Sequence, residues 1–291
     1  MPPKSKISQA QNAITLSLES NPQRVFRRAD IERILFENRA AWDLPESMTT
    51  NKFLEFLKKT TELEEQRIEF SYRPVTRYTW GDVSDWAIVQ SINEEGYFSH
   101  YSAVLFHGLT EQLPKSVYFN QEQSLKGGGG ELTQHGLDIA FRGKCRVTNN
   151  FAPFRNGTVY LLNGRNTGRL GVVSATTSGG DSVQVTGIER TLIDIVVRPI
   201  YSGGIFEVAK AFALAHGRFS VNKLVAMLKQ SNFTYPYHQS IGYLMQRSGA
   251  YKDSQLDLLR ELPREFDFYL DYGLKVRDYD PTWKLFVPKG F

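Results

Sequence analysis

Cysteine is almost absent: Cys145 is the single thiol in 291 residues. A disulfide framework within the chain and a cysteine-rich zinc site are thereby excluded. No apolar run approaches the roughly 18 residues that a membrane span requires, so no membrane partner is expected. The opening MPPKSKISQAQNAITLSLES is basic but lacks the unbroken apolar core and small-residue cleavage site of a secretory signal. These absences make the cytoplasm the expected compartment. There is no internal repeat, and the one low-complexity piece is the run Gly127 to Gly130. At 41% hydrophobic and 23% charged residues, the composition is that of a folded protein rather than a disordered chain, a collagen or a coiled-coil rod. The length suits one large domain or two ordinary ones.

Acidic excess is also lacking. Lys and Arg number 35 against 31 Asp and Glu, for a net charge of +4. Residues 1–28 hold Lys4, Lys6, Arg24, Arg27 and Arg28 against Glu19 alone. Residues 115–180 carry a further basic excess, whereas residues 250–291 are slightly acidic. The basic charge thus lies in the N-terminal and middle parts, the distribution that matters for an anionic partner.

Residues 1–80 read as three short helices and a hairpin. Ile7, Ala10, Ile14 and Leu18 are spaced by threes and fours, and Asn21-Pro22 stops that helix. A second helix opens at Asp30 as its N-cap and buries Ile31, Ile34 and Leu35. Trp42 and Leu44 close a small core, and Pro45 lies between helices. A third helix is capped by Thr49 or Thr50. At 100° per residue, Phe53, Leu54, Phe56 and Leu57 share one side, while Asn51, Lys52, Glu55, Lys58 and Lys59 share the other. In QRIEFSYRPVTRYTWG, Ile68, Phe70 and Tyr72 alternate with polar residues, as in a strand. Arg73-Pro74 turns the chain, and Val75 to Trp80 returns. This is the element order of a winged helix-turn-helix, whose third helix enters the major groove of DNA and whose wing touches backbone or minor groove. Small helical domains of the same order also bind proteins.

Residues 81–96 form a linking helix (Trp86, Ile88, Val89, Ile92). From 97 to 187, strands at 116–120, 158–162, 170–175 and 182–185 mix with one short helix and Gly-rich loops. From 188 the chain turns helical, at 188–198, 203–216, 220–231, 238–248 and 253–262, with strand-like runs at 266–272 and 283–287. The expected fold class is α+β: a winged helix-turn-helix over 1–80 followed by a larger mixed α/β domain over 97–291, its second half mainly helical with terminal strands.

Candidate motifs carry little chemistry by themselves. Lys126-Gly-Gly-Gly-Gly-Glu131 lacks the GK[ST] ending of a phosphate loop and reads as a surface loop. His100 and His107 share a helix face but lack the i, i+4 spacing and acids of metal helices; packing or hydrogen bonding is expected. Thr186 and Glu189 fit a capping box, with Arg190 and Asp194 as a surface i, i+4 pair. Asp267, Asp271, Asp278 and Asp280 raise a metal-dependent nuclease, with the first two on one face of a strand, though a solvated strand face accounts for them. Lys144 and Arg146 flank Cys145 and would lower its pKa; without a His partner the thiol reads as incidental.

YFSHYSAVLFHGLTEQLPKSVYFN, then GIERTLIDIVVRPIYSGG and TYPYHQSIGYLMQRSGAY, with the closing FDFYLDYG and WKLFVP, resemble the AbiEi family of abortive-infection antitoxins. The resemblance spans nearly the whole chain and is strongest from 96 to 288. It implies a bacterial antitoxin-regulator of a phage-defence system and no enzyme, cofactor or metal. The N-terminal winged helix would bind inverted repeats in double-stranded promoter DNA and repress its own operon. The domain from 97 onward would neutralise a cognate nucleotidyltransferase-like toxin. The family is described as type IV, in which the two proteins need not form a stable complex, so direct contact stays open. Carried over, Asn51, Lys52, Glu55, Lys58 and Lys59 lie at the major groove and Arg73 and Arg77 on the wing. Glu189, Arg190 and Asp194 form the family's motif, with no role assigned. Glu55 departs from a phosphate-facing surface: either it reads a cytosine amino group or the helix sits differently. Two alternatives stand beside this reading, a nucleic-acid-targeted defence nuclease and a ligand-sensing winged-helix regulator with no toxin.

Overall fold

The structure is a computed structural model that describes residues 5–125 and 130–291. The glycine run expected as a surface loop lies, over 126–129, outside the described residues. Helices and strands are interleaved in a mixed α+β architecture. The chain divides into two compact units. One runs to Glu94 and takes in Ser178–Asp181; the other comprises Glu95–Thr177 and Ser182–Phe291. Residues 81–94, expected as a linker, therefore group with the first unit.

The first unit runs α1 (Lys6–Gln9), α2 (Gln11–Glu19), β1 (Val25–Phe26), α3 (Arg28–Asn38), α4 (Thr50–Thr60), β2 (Leu63–Glu69), β3 (Pro74–Trp80) and α5 (Asp85–Gln90). Its strands form an antiparallel sheet in the order β1-β3-β2. The single helix expected from Ile7 to Leu18 is two, divided at Ala10. Asp30 is not the cap of α3. The helix starts earlier, at Arg28, and Asp30 sits in its first turn, where its carboxylate accepts the Arg27 backbone N–H at 2.8 Å. The core joins Ile14, Leu18, Phe26, Ile31, Leu35 and Leu63 to Phe53 and Leu57 of α4. Trp42 stacks on Phe53 with ring centroids 5.8 Å apart. Each such buried side chain contributes roughly 1.5–3 kcal/mol relative to exposure, and this anchors α4 by its apolar side.

The second unit opens with β4 (Tyr97–Phe98), α6 (His100–Phe106), β5 (Ser116–Glu122), α7 (Gln134–Arg142), β6 (Phe151–Phe154), β7 (Gly157–Gly164), β8 (Val172–Thr176) and β9 (Ser182–Thr186). These strands make one six-stranded sheet in the order β6-β7-β5-β4-β9-β8. It is mixed: β7 with β5 and β4 with β9 are parallel, and the other pairs are antiparallel. A helical layer follows: α8 (Ile188–Val197), a 3-10 turn (Pro199–Ser202), α9 (Ile205–Ala215), α10 (Val221–Ser231), α11 (Tyr237–Ser248) and α12 (Asp253–Arg260). The chain closes with β10 (Phe268–Tyr269), β11 (Arg277–Asp280) and β12 (Leu285–Pro288), a small sheet in the order β10-β12-β11.

Helix α8 is the centre of this unit. It packs against α6, α9, α10 and α11, and every residue from Glu189 to Val196 is buried. A helix covered on all sides is apolar around most of its circumference. Leu192, Ile193, Ile195 and Val196 meet that demand, and the three charged residues of the motif must find internal partners. The last strands are locked on by Trp283, which is fully buried. Its ring lies where α11 has Gly242, and its indole N–H donates to Gln246 at 2.9 Å.

Candidate functional site

Helix α4 presents the candidate surface of the first unit. The Thr49 hydroxyl caps it by accepting the Lys52 N–H. Phe53, Leu54 and Leu57 point inward and are buried, and Phe56 is half-buried. Asn51, Lys52, Glu55, Lys58 and Lys59 are all exposed. Lys58 is tied to Glu65 of β2 at 2.7 Å, and that hydrogen bond raises its pKa. Lys59 forms no ion pair among the described residues. The acidic residues Glu64 and Glu65 of β2 lie nearby in sequence and are likewise exposed, so the surface is mixed in charge rather than uniformly basic.

The hairpin departs from expectation at two positions. Ile68 and Phe70 are buried, but Tyr72 is 80% exposed, because β2 ends at Glu69 and the chain reverses before Tyr72 can continue the strand alternation. Arg73 is exposed beside it. Arg77 does not reach a wing surface. It is buried on β3, and its guanidinium donates to the Ser91 carbonyl at 2.8 Å, the Ser91 hydroxyl at 3.0 Å and the Thr76 carbonyl at 2.8 Å. Burial lowers its pKa. Arg77 satisfies the carbonyl end of α5, a structural role.

In the second unit, the Glu189, Arg190 and Asp194 motif is interior. Gly187 stands at the N-cap of α8, so the expected Thr186–Glu189 capping box does not form. The Thr186 hydroxyl instead hydrogen-bonds with that of Thr191 at 2.8 Å. Glu189 reaches to α10, accepting the Ser220 N–H at 3.2 Å and the Lys223 ammonium at 3.1 Å. Burial works to raise its pKa, but these bonds to the carboxylate prevail and lower it. A carboxylate at the start of α10 also complements the helix dipole.

Arg190 and Asp194 are not the surface pair expected. Their side chains are 5% and 10% exposed, with Nε to Oδ1 at 2.8 Å. Arg190 also donates to the Thr167 hydroxyl at 2.8 Å and the Leu170 carbonyl at 2.6 Å. Burial opposes its charge, but Asp194 and the neighbouring acceptors outweigh this and raise its pKa. Behind it, Glu122 at the end of β5 accepts from the Thr167 and Arg169 N–H groups at 2.9 and 3.1 Å.

This network forms part of the lining of a cavity of about 450 Å³. Sequence spacing brings Arg190 and Asp194 together, but not the rest of the wall: Asn120 of β5, Arg146 and Thr148, Arg165, Arg198, Tyr201, and the α10–α11 segment with Phe233, Tyr235 and Tyr237. These residues come from segments far apart in the chain, and no local motif announces them. His100 also lines the cavity; burial holds its pKa down to about 4, so it is neutral at pH 7. His107 donates to the Thr186 carbonyl at 2.6 Å.

Cys145 is half-buried beside Arg198. Burial raises its pKa against the pull of Arg198, the reverse of what its flanking cations imply. The C-terminal aspartates do not share a strand face, because β10 is only Phe268–Tyr269. Asp267 accepts from the Tyr279 hydroxyl at 2.6 Å, Asp278 from the Gly290 N–H at 3.0 Å and Asp280 from the Trp283 N–H at 2.8 Å. Among the described residues, no group of three or more His, Cys, Asp or Glu side chains is placed to hold a metal ion. No described helix is long and apolar enough to cross a membrane.

The fold is similar to that in the crystal structure of the RV2827C protein from Mycobacterium tuberculosis, with a TM-score of 0.59 at 13% identity, covering 96% of this chain and 91% of that one. No protein-family model and no curated protein matches the chain. The likeness in fold therefore extends across both units, at an identity too low to carry function.

Proposed function

We propose that the first unit is a winged helix-turn-helix and that the chain is a DNA-binding regulator of the antitoxin kind. It represses its own operon and neutralises a nucleotidyltransferase-like toxin. The observation that carries the DNA-binding reading is the division of α4 into a buried apolar side and an exposed side bearing Asn51, Lys52, Glu55, Lys58 and Lys59. In this reading α3 and α4 are the helix-turn-helix pair, and α4 lies in the major groove. The wing contact falls to Tyr72 and Arg73 at the hairpin tip rather than to Arg77. Lys58 exchanges Glu65 for a phosphate, and Glu55 and Asn51 face base edges. The antitoxin half of the proposal rests on the resemblance of the YFSHYSA…HGLT and ERTLID segments to the AbiEi family. The interior position of the second segment supports a scaffold role there, with Glu189, Arg190 and Asp194 shaping the surface rather than touching a toxin.

The test of DNA binding is fluorescence anisotropy with a duplex taken from immediately upstream of the reading frame, measured across a range of salt. Affinity falls steeply with salt if lysine and arginine release counterions; a salt-independent or absent interaction removes the reading. Co-expression with the adjacent gene tests the second half, since an antitoxin restores growth that the neighbour alone arrests. The cavity of the second unit favours a second reading, a regulator that senses a ligand and rescues nothing, and the same co-expression separates the two.

A further inference from the structure

The cavity beside α8 has an unbalanced charge. Arg146, Arg165, Arg190 and Arg198 line it, and among the described residues Asp194 is the single carboxylate in its wall. That carboxylate is already bonded to Arg190, and His100 is neutral at pH 7. Among the described residues, Arg146, Arg165 and Arg198 form no ion pair. Arg198 uses Nη1 on the Tyr272 hydroxyl at 2.8 Å and on Cys145, neither of which cancels its charge. Three uncompensated guanidinium groups around one concavity repel one another, and an anion placed between them relieves that repulsion. Guanidinium groups also match phosphate oxygens with paired donors.

Another part of the wall is aromatic. Phe233, Tyr235 and Tyr237 come from the α10–α11 segment, and Tyr201 comes from the 3-10 turn. Arg165 already lies over the Phe233 ring, 5.7 Å from its centroid, so the cationic and aromatic parts adjoin. The volume of about 450 Å³ falls within the roughly 300–1,000 Å³ of small-molecule sites. A bare inorganic anion leaves the aromatic wall unused, and a flat uncharged molecule leaves the arginines unneutralised. A ligand with phosphates at one end and a planar ring at the other satisfies both.

We propose that this cavity binds a nucleoside polyphosphate, its phosphates on Arg146, Arg165 and Arg198 and its base against Phe233 and Tyr235. The lining belongs to the second unit, and the proposal does not depend on DNA binding.

The test is isothermal titration calorimetry of the full chain with ATP, GTP, CTP, UTP and inorganic tripolyphosphate. At least one nucleotide binds one-to-one. Arg146→Gln with Arg165→Gln, both exposed residues whose loss leaves the fold intact, weakens it about tenfold or more, the usual consequence of losing charge-assisted bonds. Phe233→Ala weakens the nucleotide but not tripolyphosphate. Lys58→Ala with Lys59→Ala leaves nucleotide affinity unchanged even where it abolishes DNA binding. The proposal is overturned if no nucleotide binds or if the double arginine variant keeps the parent's affinity. It is also overturned if tripolyphosphate binds as tightly as every nucleotide, or if the lysine pair rather than the arginine pair sets the affinity.

Discussion

Arg190 and Asp194, one turn apart on α8, form a 2.8 Å ion pair inside the second unit, with side chains 5% and 10% exposed. Removing one partner leaves the other charge buried and uncompensated. Arg190→Met is expected to destabilise the protein by about 3–5 kcal/mol, the range for broken buried pairs. Replacing both residues with apolar ones of similar volume is expected to cost less than the single change. Urea unfolding of the three proteins checks this, and a double variant less stable than Arg190→Met contradicts it.

The buried histidines make stability depend on pH. His100 and His238 are both held by burial to a pKa of about 4, below the unfolded value of about 6.5. The folded form therefore resists a proton that the unfolded chain accepts. Their contribution is complete above pH 6.5 and is lost as pH falls from there towards 4, at about 3 kcal/mol each as an order of magnitude. His100 has a left-handed φ of 51°, which Asn tolerates. His100→Asn is expected to flatten the fall in unfolding free energy between pH 6.5 and 4; an unchanged slope contradicts the assignment.

Gly242 inverts the usual helix rule. In a helix interior, Gly to Ala gains up to about 1 kcal/mol. Here an added Cβ lies 2.2 Å from the Trp283 ring, and the ring is fully buried. Gly242→Ala is expected to destabilise by about 1–3 kcal/mol or more, as overpacking does, and to alter Trp fluorescence. A raised melting temperature contradicts this packing.

Arg77 and Arg73 separate stability from the proposed DNA contact. Arg77→Ala leaves the Ser91 and Thr76 carbonyls without their donor and is expected to cost about 1–3 kcal/mol of stability. Arg73→Ala, at an exposed position, is expected to leave stability within about 0.5 kcal/mol while weakening duplex binding. Thermal unfolding paired with anisotropy distinguishes the two, and an Arg77 variant that is stable but defective in binding reverses the assignment.

Much of the fold was legible where punctuation coincided with periodicity. Helices α8 to α12 fall close to their expected ranges because Pro199, Gly217, Ser220, Gly249 and Pro263 mark their ends. The exposed face of α4 followed from its spacing alone. Helix α7 gives no periodic signal in the sequence, because only Leu137 and Phe141 are buried within its nine residues. Strand β11, RDYD, is polar and exposed throughout most of its length and is held by β12 rather than by any propensity of its own. Charge favours water, so sequence alone puts Arg77, Arg190 and Asp194 at the surface; the burial of the two arginines depends on acceptors contributed from Ser91, Thr167 and Leu170, distant in sequence, and Asp194 is buried by pairing with Arg190. The cavity was invisible for the same reason, its arginines being scattered from 146 to 198.

The most direct test of the account is the salt dependence of duplex binding for Lys58→Ala with Lys59→Ala. Both lysines are exposed on α4, so the variant keeps its fold. The account predicts weaker binding to the upstream duplex and a slope of log affinity against log salt shallower by about 1 for each lost phosphate contact. A variant that binds as the parent does at every salt concentration contradicts the placement of α4 in the groove.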